Sequence, residues 1–396
     1  MSRRLNVLVL SWNYPTSAAP QRGLWVQRMC DAAATRADVT VLVPTPWVPP
    51  MVPFTSLARF RHIPDRAVWG KLDVHFPRVP GSIEYFTHGL DARLSFPAVV
   101  ARARQLHRER PFDLIHAHFI YPDGVVAGKI GAALGIPVMT SEHAFWTPWL
   151  ADKPGVRAQV ESVLPHIQLI APVSQFLGEN VTNFLQGRVP TEVLPNVVDD
   201  EVFYPSARTR HEWELLYVGL IRGFKRIDVL LRALVIVRQT LPDVQLRILS
   251  ANAFRAYGRD RRDMHQLITS LELQSAVEVV DGADPPSVAE AMRRCTLVAV
   301  CSTRRETFCS VAAEALACGT PLVVTRCGGP EEFVGPDDGV MVEADDPAAF
   351  ARGILTALDR NGSFDAAAIS SRIVSRFGRE AWCERAMALY GRIARA

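Results

Sequence analysis

LLYVGLIRGFKRIDVLLRAL, residues 215–234, compresses a strand, a loop and a helix into one short stretch. An apolar, β-rich run ends at Gly219. A short loop carries Arg222 and Lys225. Then Ile227, Leu230, Leu231 and Leu234 return at helical spacing. A strand that feeds a helix through a glycine-bearing loop is half of a βαβ unit, and the pattern extends in both directions. Downstream, Val244–Leu249, Ala276–Val280, Thr296–Cys301 and Pro321–Thr325 read as further strands, with a helix over Glu306–Ala317. Upstream, Asn6–Leu10, Val39–Val43, Phe112–His116, Ile136–Thr140 and Gln168–Val173 read as strands. Asp123–Leu134 and Gln175–Leu185 read as helices. Short apolar strands alternating with helices predict parallel sheets covered on both faces. The alternation pauses over residues 194–214, where Pro, Asn, Asp and charges dominate, and then restarts. The expectation is an α/β protein with a domain at 1–197, a second at 198–375 and a C-terminal segment at 376–396. In that segment Trp382, Met387, Leu389, Tyr390 and Ile393 are available to pack.

Composition narrows the function classes. The 396 residues exceed one ordinary core, and 48% hydrophobic with 21% charged residues is a globular mix. A formal net charge of +3 is too balanced for a nucleic-acid binder, so no nucleic acid is expected as a partner. Seven cysteines without a C-x-x-C pair predict free thiols in a reducing compartment. No run reaches the ~20 apolar residues of a membrane span, and the N-terminus lacks a signal-peptide pattern. The expected location is cytoplasmic, including the inner face of the cell membrane. Residues 44–111 are less regular. Phe96, Val99, Val100, Ala103 and Leu106 share one helical face and arginines the others. That is either a half-buried helix or a basic face for peripheral membrane contact. Trp47, Phe54, Trp69, Tyr85 and Phe86 either stack on sugar or lipid or simply pack.

Four constellations can carry chemistry. Glu306 and Glu314 flank a small-residue stretch. If Glu306 ends a loop and a helix begins near Thr307 and Phe308, Glu314 lies about two turns in, ~10 Å along the axis. The helix start between them can hold an anion. Acid, phosphate site, acid fits sugar, diphosphate, ribose, because carboxylates accept hydrogen bonds from hydroxyls. The bland alternative is solvation and capping. Lys225 and Arg222 either neutralise a departing phosphate after Gly219 or are solvated loop residues. In TRCGGPEEFV, residues 325–334, Gly328 and Gly329 either let backbone approach a ligand or make a turn. In the first half, Gly23 follows the Ser11–Pro15 loop, and DLIHAHFIYPDG, residues 113–124, brings His116, His118, Tyr121 and Asp123 to a strand end. His143 ends the next strand in the same way. A His-x-His pair can bind metal, but no further ligand is evident, so no metal is assigned.

Together these residues resemble the family 4 retaining glycosyltransferases of the GT-B fold. The most specific part is ETFCSVAAEALACGTPLVVTRCGGPEE, residues 306–332, with support from YVGLIRGFKRIDVLLRA, DLIHAHFIYPDG and LPNVVD. The resemblance implies two facing Rossmann-like domains with an interdomain active-site cleft, and a last helix that crosses back to the N-terminal domain. It implies a nucleotide-sugar donor of UDP or GDP type on the C-terminal domain and a saccharide or lipid-linked acceptor on the N-terminal one. Synthesis of cell-surface polysaccharide or glycolipid follows as the expected role, by retaining transfer without cofactor or divalent metal. Glu306, Lys225 and His118 would be catalytic. Glu314, Arg222, Gly219, Thr307, Phe308, Gly328 and Gly329 would bind donor, and Gly23, His143, Tyr121 and Asp123 would lie on the acceptor side. Leu220 departs from the pattern, since many members have arginine after the glycine. The competing expectations are a non-catalytic nucleotide-sugar-binding protein and a nucleotide-sugar epimerase on the same scaffold.

Overall fold

The computed structural model describes residues 3–49, 58–80, 91–146, 153–206, 213–250, 258–303 and 306–395. The chain divides into two compact units, Met1–Val197 with Trp382–Ala396, and Val198–Ala381. Phe54, Tyr85 and Phe86 lie outside the described residues.

The first unit is built on β1 (Asn6–Leu10), β2 (Asp38–Leu42), β3 (Arg66–Trp69), β4 (Leu72–His75), β5 (Leu114–His118), β6 (Val138–Glu142) and β7 (Leu169–Pro172). Among the described residues they form one sheet in the order β3-β4-β2-β1-β5-β6-β7. Every pairing is parallel except β3 with β4, where Arg66 faces His75. Helices α1 (Leu24–Ala33), α2 (Asp91–Glu109), α3 (Val125–Leu134), α4 (Pro154–Val163) and α5 (Gln175–Leu185) cover it. Strands β1, β5 and β6 are buried along their whole length, as a doubly covered parallel sheet requires. Helix α2 buries Val99, Val100, Ala103 and Leu106, while Arg93, Arg104 and Arg108 stay exposed. Its apolar stripe is therefore taken up by the protein core, and its outer face is basic.

The second unit repeats the plan with β8 (Glu214–Gly219), β9 (Gln245–Ser250), β10 (Val277–Asp281), β11 (Leu297–Val300), β12 (Leu322–Thr325) and β13 (Gly339–Val342). The strand order is β10-β9-β8-β11-β12-β13, all parallel. Its helices are α6 (Ile227–Thr240), α7 (Gly258–Ser270), α8 (Pro285–Arg294), α9 (Ser310–Ala317), α10 (Pro347–Asp359) and α11 (Ala366–Phe377). Asp284, Asp346 and Asp365 cap α8, α10 and α11 by accepting from main-chain N–H groups at the helix starts. Both units are Rossmann-like. In each, the chain winds outward from a central strand in both directions. The order therefore reverses between β1 and β5 in the first unit and between β8 and β11 in the second. Loops beyond the carboxyl ends of strands at such a reversal are where open α/β sheets bind ligands.

The last helix, α12 (Arg379–Ile393), contributes Trp382, Cys383, Ala386, Leu389, Tyr390 and Ile393 to the core of the first unit. The spacing of these residues keeps them on one helical face. Trp382 is 1% exposed and its indole donates to the Pro195 carbonyl at 2.8 Å, so burying a large ring leaves no polar atom unsatisfied. All seven cysteines are buried free thiols.

Candidate functional site

In the second unit the reversal between β8 and β11 gathers four segments. After β8, Gly219 adopts φ 153 and the chain turns through a short 3-10 segment, Gly223–Lys225. After β11, Cys301–Thr303 run beside it. Thr303 N–H donates to the Phe224 carbonyl at 2.9 Å, and the Cys301 thiol to the Lys225 carbonyl at 3.1 Å. The segment after β11, distant in sequence, thus holds the main chain of Phe224 and Lys225. Its ammonium donates to Glu306 Oε1 at 2.5 Å, and Ser302 Oγ donates to the same oxygen at 2.6 Å. Glu306 is 7% exposed. Burial disfavours the Lys225 charge, but Glu306 beside it outweighs burial and raises the ammonium above its usual range. The pair is therefore a fixed positive and negative charge at the mouth of a sheet.

The Glu306 main chain is docked as firmly. Its N–H donates to the Cys327 carbonyl at 3.0 Å, and Gly329 N–H donates to the Glu306 carbonyl at 2.8 Å. Gly328 takes φ 111 and a side chain at Gly329 would meet Thr307 O at 2.6 Å. The glycine pair thus lets the Cys327–Gly329 loop close on the Glu306–Phe308 backbone. Phe308 buries its ring against Phe333 and Phe377, so only its main chain is left to face a ligand. Helix α9 begins at Ser310, not near Thr307 as the sequence predicts. Cys309 sits in the left-handed region at φ 67, which halts any helix entering from Glu306. Glu314 is consequently about one turn in, ~6 Å along the axis, and not two turns. It is 8% exposed. Arg222, half-buried, precedes the 3-10 turn.

In the first unit the corresponding reversal gathers the histidines. His118 closes β5 and is wholly buried, with its Nδ1 at 3.0 Å from His143 Nε2. His143 Nδ1 in turn lies 3.2 Å from Asn196 Oδ1. His118 Nε2 has no hydrogen-bond partner among the described residues. His116 differs. Its Nδ1 meets the Tyr390 hydroxyl at 2.7 Å and its Nε2 the Ser141 hydroxyl at 2.8 Å, so both nitrogens are engaged and neither is left for a ligand. Among the described residues, no three His, Cys, Asp or Glu side chains come together as a metal site.

Two buried carboxylates hold the loops around these rings. Glu142 accepts main-chain N–H bonds from Ile120 at 2.9 Å, His143 at 2.8 Å and Ala144 at 2.8 Å, and the Trp146 indole at 2.9 Å. Asp123, wholly buried, accepts from Trp12 N–H with both oxygens, at 3.1 and 3.2 Å, and burial raises its pKa well above the carboxylate range. Asp123 thereby ties the loop after β1 to the loop after β5. Tyr121 is half-buried in that second loop. Gly23 caps α1 at φ 63, and a side chain there would overlap the Asn13 carbonyl, so the Ser11–Pro15 loop passes directly over the helix start. Sequence reasoning missed Ser302, Glu142 and Asn196. Each is a single polar residue in a loop or at a strand end, and only the fold reveals its partner.

The histidine cluster has a stability signature. Burial lowers His143 to about 4 and His116 to about 3, and holds His118 well below its ordinary value. Above pH 6.5 both folded and unfolded histidines are neutral, and the full stability is present. As pH falls below that, the unfolded chain takes up protons that the folded one refuses, so stability declines from pH 6.5 toward pH 4. For His143 alone the loss is about 3 kcal/mol. Denaturant unfolding at pH 7 and pH 5 should show this decline, and it should shrink in His143→Gln.

Two Rossmann-like units in tandem are the plan of the GT-B glycosyltransferases, and the comparisons with known proteins agree. A model of "Glycosyl transferases group 1" matches residues 200–371, and one of "Glycosyltransferase Family 4" matches residues 23–202. The chain belongs to family 4 of the glycosyltransferases. It is 28% identical to D-inositol 3-phosphate glycosyltransferase 1 of Catenulispora acidiphila, over 82% of this chain and 78% of that one. The D-inositol 3-phosphate glycosyltransferase of Salinispora arenicola is 27% identical over 86% and 79%. Among solved structures, sucrose-phosphate synthase from Thermosynechococcus elongatus aligns with TM-score 0.77 at 20% identity, over 98% of this chain and 99% of that one. The Anabaena protein HepE in complex with UDP-glucose aligns with TM-score 0.71 at 20% identity, over 98% and 100%.

Proposed function

We propose that the chain transfers a sugar from a nucleotide-sugar donor to an acceptor hydroxyl, with retention at the anomeric carbon and without a divalent metal or cofactor. The observation that carries this reading is the buried Lys225–Glu306 pair at the strand reversal of the second unit. Lys225 offers its ammonium to the diphosphate as the bond from the anomeric carbon to the phosphate oxygen breaks. The start of α9 adds main-chain dipole of the same sign. Glu306 accepts hydrogen bonds from hydroxyls of the transferring sugar, and Glu314 from the ribose. Arg222, Gly219, Thr307 and the main chain of Phe308, Gly328 and Gly329 complete the donor side. The acceptor hydroxyl attacks from the face the diphosphate leaves, and its proton passes to the departing phosphate oxygen. No side chain need then act as nucleophile. In the first unit His118 receives a hydroxyl of the reacting partners, with His143, Tyr121 and Gly23 shaping its surroundings and Asp123 holding the loops.

The UDP bound in HepE supports a uridine donor, with GDP as the other expectation. The acceptor is a saccharide or lipid-linked sugar at the inner face of the membrane, with a role in cell-surface polysaccharide or glycolipid synthesis. A phosphorylated cyclitol is a second reading, favoured by the names of the relatives. Glu314→Ala should raise the donor KM about tenfold, the loss of hydrogen bonds to a charged group, and change kcat little. Steady-state kinetics at varied donor checks this. The overall reading is tested by following UDP release from UDP-sugars with and without acceptors, in EDTA, and assigning the product anomer by NMR. Acceptor-dependent, EDTA-resistant transfer with retained configuration is expected. An inverted product or loss of transfer in EDTA contradicts it. Sugar epimerisation without acceptor would establish the epimerase instead.

A further inference from the structure

The buried histidines of the first unit are ordered as a chain with a direction. We propose that Asn196 and His143 are positioning residues that fix the proton of His118 on Nδ1, leaving His118 Nε2 as a bare acceptor for a hydroxyl of the reacting sugars. This rests on the reading in which His118 faces those sugars.

The direction follows from the inventory of donors and acceptors. Asn196 Oδ1 can only accept, so His143 Nδ1, 3.2 Å away, must carry a proton. A neutral imidazole carries one proton, so His143 Nε2 is an acceptor. His118 Nδ1, 3.0 Å from it, must then donate. That places the only His118 proton on Nδ1. Its Nε2 keeps a lone pair, is fully buried, and has no partner among the described residues. A buried acceptor without a donor is costly, and the cost is removed when a ligand hydroxyl supplies the proton. With the opposite tautomer, Nε2 would present a proton and could not receive one from a hydroxyl.

The start of the relay is anchored. Leu194 N–H donates to the Pro172 carbonyl at 3.0 Å, and Trp382 donates to the Pro195 carbonyl at 2.8 Å. Asn196 is therefore held by main-chain contacts on the residues before it, and it is 8% exposed. His143 is fixed by Glu142, which accepts from the His143 N–H at 2.8 Å. The rings facing His118 are His116, tilted at 4.4 Å, and His143, stacked at 5.3 Å between ring centroids. Because His116 is engaged at both nitrogens, it does not compete for the His118 proton.

The test is a long-range 15N–1H imidazole spectrum of the full chain, with His118 assigned by the signal lost in His118→Gln. The expected spectrum shows His118 protonated at Nδ1 and bare at Nε2. In Asn196→Ala the His118 tautomer should become mixed. There kcat should fall about tenfold, on the scale of one lost hydrogen bond, with donor KM within about twofold. His143→Leu should match Asn196→Ala, and His143→Gln, which restores an acceptor toward His118, should recover kcat. A proton on His118 Nε2 in the unsubstituted protein overturns the proposal, and this needs no variant to fold. An unchanged tautomer in Asn196→Ala overturns the role of Asn196. The functional reading fails separately: a bare Nε2 together with full turnover in His118→Ala would refute it and leave the relay intact.

Discussion

Glu306→Gln should lower kcat by ~10²–10³-fold while changing the donor KM far less. That is the range lost when one pre-set electrostatic contact to a transition state is removed. The substitution keeps the shape of the side chain and an oxygen for Ser302, which donates to Glu306 Oε1 at 2.6 Å in the unsubstituted protein. What it removes is the charge. In the proposed reaction, positive charge develops on the sugar ring as the diphosphate leaves, and a carboxylate holding the ring hydroxyls is then more favourable in that state than in the ground state. An interaction stronger in the transition state appears in kcat, and one equal in both appears in KM. Steady-state kinetics at saturating acceptor separates the two. A rise in donor KM at unchanged kcat would assign Glu306 to simple binding.

Lys225→Ala should cost more, about 10³-fold in kcat/KM, because the ammonium serves both ground-state diphosphate binding and its departure. It should also destabilise the second unit. Removing one partner of a buried pair leaves the other charge uncompensated. Glu306 keeps the Ser302 hydroxyl, so the expected loss is ~1–3 kcal/mol. Both effects are measurable on one preparation, by kinetics and by denaturant unfolding. Lys225→Arg should not restore activity, since a planar guanidinium does not reproduce a point charge held between two loops. Loss of activity with unchanged donor affinity would place Lys225 away from the diphosphate.

The sequence carries the regular parts of the fold because burial on both faces writes a continuous apolar run. Asn6–Leu10 is read with the bounds the structure has, and Gln175–Leu185 likewise. Strands β5 and β6 begin two residues later than their apolar runs suggest, since Phe112 and Ile136 are buried before the ladder begins. Strand β3 is hidden because it lies at the sheet edge, half exposed, without the apolar signal. The helical face of α2 is legible although Pro97 lies within the helix. The start of α9 is misread for a different reason. Cysteine is an ordinary helix residue, so nothing at Cys309 announces a left-handed turn that glycine would have advertised. At the site, Glu306, Glu314 and Lys225 stand out by residue type and spacing, and the fold brings together Lys225 and Glu306, which are 81 positions apart in sequence. Ser302 and Asn196 do not stand out, because their roles exist only in hydrogen bonds between loops.

The central claim is that the second unit binds a nucleotide-sugar diphosphate through Lys225 without metal. Calorimetric titration of UDP, GDP and their sugar conjugates in EDTA, into the unsubstituted chain and Lys225→Ala, addresses it directly. The account predicts saturable binding of one nucleotide family in EDTA that is weakened at least tenfold in Lys225→Ala. Binding that appears only when a divalent metal is restored, or that is equal in the two proteins, would contradict it.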